Sequence, residues 1–100
     1  MLYAIMATED PRSLERRLEA RPSHLARLQE LVENGRLVIA GPHPAIDSED
    51  PGPEGFSGSL IIAEFDSLEE AKDWAADDPF VHASVYQQIV VKPFKHVLPR

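Results

Sequence analysis

The residues best suited to chemistry are an imidazole and a carboxyl far apart in the chain, His24 and Asp78. An imidazole exchanges a proton near neutral pH, and it works best as base or acid when a carboxylate fixes its tautomer. Asp78 precedes Pro79, and a residue before proline is pushed out of the helical region. Its carboxyl should therefore turn away from the helix that ends there. Two acids at a helix C-terminus, Asp77 and Asp78, also oppose the helix dipole. A local rule broken without local gain marks a place where function sits. The bland alternatives are a surface or interface histidine and a simple helix terminator.

The other reactive groups make weaker cases. His43 stands near Asp47, Glu49 and Asp50, but their spacing matches no known cation loop. His82 follows Phe80 closely, so it faces either the Asp78 cleft or solvent, and His96 reads as structural or exposed. Neither a metal nor a cofactor is expected. Gly55-Phe56-Ser57-Gly58-Ser59 leads into a strand rather than a helix N-terminus, which does not suit a phosphate loop. It also lacks the spacing of a nucleophile elbow, so a serine hydrolase is not supported. A hydroxyl from Ser57 or Ser59 could still orient a polar ligand group.

The elements that must position these groups belong to one small domain. The chain has 100 residues, 43% hydrophobic and 27% charged, and is read as a single domain over residues 1–100. It contains no cysteine, which removes disulfides, thiolate metal sites and cysteine nucleophiles and points to a reduced cytoplasm. The longest apolar run is residues 1–7, far short of the ~18 residues a membrane helix needs. With no basic residue before it, this run reads as a strand rather than a signal peptide. Ten basic residues face 17 acidic ones, a net charge of −7. The arginines of residues 12–36 alternate with Glu15, Glu19, Glu30 and Glu33, so no concentrated basic face offers itself to nucleic acid.

Residues 2–7 are apolar on both alternating sets, which predicts a strand covered on both faces. Asp10-Pro11 is a helix start, and Leu14, Leu18, Leu25, Leu28 and Val32 recur at helical spacing up to the Asn34-Gly35 stop. Pro22 predicts a break, giving helical pieces over 11–20 and 22–34. Residues 37–40 form a short strand closed by Gly41-Pro42, followed by a long Pro/Gly-rich loop to residue 56. A third strand spans 59–65, and Ser67-x-x-Glu70 is a capping box for a helix carrying Leu68, Ala71, Trp74 and Ala75 up to Pro79. A fourth strand spans 86–91, with a short tail strand to Val97. The order is α+β, ferredoxin-like βαββαβ, with helices on one face of an antiparallel sheet. The opposite face is still apolar, which predicts a homodimer built sheet on sheet.

Arg21-x-x-His24-Leu25, Gly41-Pro42, Gly58-Ser59, Ala71-x-x-Trp74-x-x-x-Asp78-Pro79-Phe80 and Val91-Lys92-Pro93-Phe94 together resemble the YciI family across nearly the whole chain. The resemblance implies a ferredoxin-like fold in a dimeric α/β barrel, and a histidine–aspartate site that falls on His24 and Asp78. It further implies that Arg21 contacts an anionic substrate group, with Ser59 and Phe80 beside it on the ligand side. One branch of that family acts on a chlorinated muconolactone, eliminating chloride. The expected function is general acid/base chemistry on a small anionic organic acid or lactone, of lyase, isomerase, dehalogenase or hydrolytic type. The alternative is a non-catalytic metabolite- or protein-binding module with the same cleft.

Overall fold

The computed structural model describes residues 1–99, and it arranges them as an α+β ferredoxin-like fold. The order is β1 (Leu2–Glu9), α1 (Leu14–Glu33), β2 (Leu37–Pro44), a 3-10 turn (Gly52–Glu54), β3 (Phe56–Glu64), α2 (Leu68–Ala76), α3 (Pro79–His82) and β4 (Tyr86–Phe94). The four strands form one sheet in the order β2-β3-β1-β4, with every neighbouring pair antiparallel. No helix among the described residues is long and apolar enough to cross a membrane.

β1 lies inside the sheet between β3 and β4, and one of its two apolar sets faces the helices. Tyr3, Ile5 and Ala7 pack under the helices with Ile61 and Ala63 of β3, and Leu28, Leu31, Ala71 and Ala75 close the core from above. Glu9 continues the same face and is buried with them. On the other face Leu2, Met6, Leu60, Ile62, Val90 and Phe94 are only partly covered.

Helix α1 departs from expectation at its start, its middle and its face. Residues 10–13 form a turn, because Asp10 accepts the backbone N–H of Arg12 and its carbonyl accepts the N–H of Ser13; the helix begins at Leu14. The predicted break at Pro22 is absent, and the helix runs unbroken to Glu33. Its buried residues, Arg17, His24, Leu28 and Leu31, fall on one face without a change of phase across the proline. Packing on both sides therefore holds the axis, while Pro22 and Leu18, whose carbonyl loses its donor, lie on the exposed side. Of the predicted apolar stripe, Leu28 is buried and Leu14 half-buried, but the other three positions are one residue out of phase with the buried face. Leu18, Leu25 and Val32 are 61%, 40% and 49% exposed, because the neighbouring positions Arg17, His24 and Leu31 point inward.

The stop after α1 is where the sequence places it: Gly35 has φ +69, and its N–H reaches Val32 O while that of Arg36 reaches Leu31 O. β2 extends past Gly41-Pro42 to Pro44, since an edge strand tolerates proline on its unpaired side. β4 likewise runs straight through Pro93 to Phe94, on the other edge, so the separate tail strand does not form. Ser67 caps α2 by accepting the N–H of Glu70, and Glu70 in return accepts the N–H of Asp66. α3, a short helix opened by Pro79 with Asp78 as its cap, is unforeseen from the sequence, as is the 3-10 turn Gly52–Glu54 within the long loop.

Two expected outcomes follow from this packing. Pro22→Ala restores a donor on an exposed helix face and should raise stability by about 1–3 kcal/mol in urea unfolding; an unchanged or lower midpoint would contradict the continuous helix. A Cβ on Gly58 would clash with the Ala7 carbonyl oxygen across the β1–β3 ladder. Gly58→Ala should therefore destabilise by about 1–3 kcal/mol, and a wild-type unfolding midpoint would show that the strands can separate freely there.

Candidate functional site

The inward face of α1 and the adjoining strands enclose a cleft of about 250 Å³. Helical periodicity puts Arg17, Arg21 and His24 on the same side of α1, and all three line the cleft. Gly41 and Pro42 of β2 form the opposite wall, with Phe56 and Ser59 of β3 forming the floor.

His24 is backed by Asp78. Its Nδ1 lies 2.8 Å from Oδ1 and 2.9 Å from Oδ2 of that carboxylate, across 54 positions of sequence. Pro79 holds Asp78 in an extended conformation (φ −66, ψ 137), so the carboxyl leaves the axis of α2 and caps α3 by accepting the N–H of Phe80 at 2.8 Å. As a cap, the acid sits at a favourable helix end, which offsets the dipole conflict expected at the end of α2. The Arg27 guanidinium adds a positive charge 3.7 Å from Oδ2 while its Nη2 donates to the Trp74 carbonyl. A carboxylate only accepts, so a hydrogen is assigned to His24 Nδ1, and in the neutral ring the lone pair is then on Nε2. Among the described residues Nε2 has no partner, and it is not sealed from solvent.

Aromatic rings fix the imidazole plane. Phe80 stacks on it at 4.0 Å and 11°, and Tyr86 meets it edge-on at 6.3 Å and 90°. Phe80 is itself fully buried and absent from the cleft wall. Its expected place on the ligand side is thus corrected: it supports the ring from behind. Arg21 and Ser59 do line the cleft, Arg21 exposed and Ser59 buried with its hydroxyl 2.7 Å from that of Tyr86. Burial pushes the Tyr86 phenol well above its ordinary range, so it stays protonated. His82 pairs with Asp77 at 3.2 Å on the surface, outside the cleft, and His43 lies exposed on β2.

Sequence reasoning missed Arg17, Glu9, Phe56 and Tyr86. Arg17 donates through Nε to Glu9 Oε1 at 3.0 Å, with side chains only 7% and 0% exposed. Burial pushes the Glu9 carboxyl up from its usual range, against the lowering pull of Arg17. Two signals were available: Glu9 shares the strand parity of Tyr3, Ile5 and Ala7, and Arg17 lies two helical turns before His24.

Comparison with known proteins places the chain in a family. The YCII-related domain matches residues 1–95. Protein YciI of Escherichia coli O6:H1 is 60% identical over 97 residues, covering 97% of this chain and 99% of its own. An uncharacterized protein of Haemophilus influenzae is 55% identical over the same coverage. In structure the chain is similar to the 5-chloro-2-hydroxyhydroquinone dehydrochlorinase TftG of Burkholderia phenoliruptrix, solved in complex with 2,5-dihydroxybenzoquinone. The TM-score is 0.84, with 28% identity and coverage of 97% and 96% of the two chains. The chain belongs to the YCII-related family.

Proposed function

We propose that this protein is an enzyme in which His24, held by Asp78, moves a proton on a small organic anion without a metal. The observation that carries the reading is the two-oxygen contact between His24 Nδ1 and a sealed carboxylate, which leaves Nε2 as the open nitrogen of a ring on the cleft wall. As a base, Nε2 takes a proton from a substrate carbon or hydroxyl; Asp78 stabilises the imidazolium that forms. The released electron pair forms the new π bond, and a leaving group such as chloride departs with its own pair. The structural likeness to a dehydrochlorinase supports chemistry of this class. A 35% identical relative in Emericella nidulans over 71 residues, a derivative of benzaldehyde biosynthesis cluster protein, is in keeping with a small-molecule role.

We also infer that a second copy covers the open sheet face, where Leu2, Met6, Leu60, Ile62, Val90 and Phe94 are partly exposed and Ile39 is 57% exposed. Sedimentation at micromolar concentration should give a species of twice 11.2 kDa, and a stable species of that single mass would refute the dimer.

The chemistry is tested with 5-chloro-2-hydroxyhydroquinone, a chlorinated muconolactone and a set of small carboxylic acids and lactones. Chloride release and proton exchange in deuterium oxide are the readouts. His24→Ala should lower kcat by about 10²–10⁴-fold with the circular dichroism spectrum intact. Asp78→Asn, which favours the wrong tautomer, should lower it by at least about 10²-fold. Wild-type turnover in His24→Ala, or a wild type silent across the whole set, overturns the reading.

A further inference from the structure

Arg17 is the buried charge that proton transfer at His24 does not use. Its side chain is 7% exposed, yet it lines the cleft. A guanidinium carries five N–H donors in one plane. Here Nε is committed to Glu9, while among the described residues Nη1 and Nη2 have no partner. Neither is sealed, in contrast to Glu9 Oε2, which is buried without a partner. The free edge of the guanidinium can therefore meet only what enters the cleft. Phe56 and Phe80 lie 4.1 and 5.2 Å from its central carbon and hold its plane, so the donors are aimed before a ligand arrives.

The charges point the same way. Of the two buried carboxylates, Glu9 is paired with Arg17, and Asp78 has Arg27 beside it. Arg21, one turn beyond Arg17 on the cleft wall, makes no ion pair among the described residues and is left over. A protein of net charge −7 thus keeps a positive surplus in one concave place.

We propose that Arg17, with Arg21 beside it, anchors a planar anion of two oxygens on the substrate, a carboxylate or an acidic dioxygenated ring. Two parallel N–H donors match two such oxygens, which a lysine ammonium could not do. Glu9 is the positioning residue: it fixes Nε from behind and limits the positive charge that the cleft presents. The orientation of the anion toward His24 Nε2 rests on the acid/base reading above; the anchoring itself is a statement about binding.

Isothermal titration separates the two. The probes are benzoate, 2-hydroxybenzoate and 2,5-dihydroxybenzoquinone, with uncharged benzamide as reference. At least one of the three should bind wild type and His24→Ala within a few-fold of each other, and should bind Arg17→Met at least tenfold more weakly. Benzamide should not distinguish the variants. Arg17→Lys, which keeps the charge and loses the planar fork, should fall between. Glu9→Gln should bind the anion as tightly as wild type or more so, a result that a merely structural ion pair would not give. If Arg17→Met fails to fold, Glu9→Gln/Arg17→Met removes both buried charges and carries the same expectation. The anchor is overturned if either Arg17→Met protein binds the anions like wild type, or if wild type binds none of them better than benzamide. Anion binding that depends on Arg17 in a protein with no turnover would sink the acid/base reading alone.

Discussion

Asp78 is 1% exposed, and at that depth an ionised carboxylate persists only if its oxygens are engaged. Three groups from three places meet it: the Phe80 N–H from the start of α3, the His24 ring from the middle of α1, and the Arg27 guanidinium one turn further on. Pro79 makes the meeting possible, because it bends the backbone out of α2 at the residue whose carboxyl must reach across. Without that turn the acid would point along the end of a helix that repels it. The local conflict between dipole and charge is relieved by a second helix start in the same place. The polar contact also ties α1 to the α2–α3 junction, so the orientation of the imidazole and the docking of α1 are a single constraint.

The parts of the fold that the sequence makes legible are those where local preference and burial agree. The inner strand β1 shows itself in unbroken apolar residues, Gly35 ends α1 in the left-handed region, and Ser67 caps α2. Legibility fails where tertiary contacts outweigh a local signal. Pro22 says break, but the residues on both sides of it are held in phase by the sheet beneath. Pro42 and Pro93 say stop, but both lie on edge strands, which have no neighbouring strand on their outer side. Of the site, His24 and Asp78 were visible through the proline that follows the acid. Glu9 and Arg17 were not, because a charged pair buried under a helix looks like ordinary surface charge until its partner is known.

Helix α1 shows most directly how the site bends the rules of the fold. An amphipathic helix normally turns its leucines to the core. Here Leu18 and Val32 face outward and Leu25 stands at the cleft, while the stripe one residue earlier carries Arg17, His24 and Leu31 inward. Half of the buried face is thus given to polar groups, and each of these groups needs a fixed partner: Glu9 for Arg17, Asp78 for His24. The remaining apolar packing comes from Leu28 and Leu31 toward the end of the helix. The fold is accordingly firm at one end of α1 and chemically committed at the other.

The cleft has an unequal pair of walls. The imidazole, the carboxylate and the guanidinium all belong to interior segments, whereas Gly41 and Pro42 belong to β2, the outermost strand, hydrogen-bonded along one side only. Exchanges at those two positions would reshape the opening while leaving the ladder between β1 and β3 untouched. On the proposed reading, the shape of the opening and the groups that act inside it are thus set by different parts of the fold.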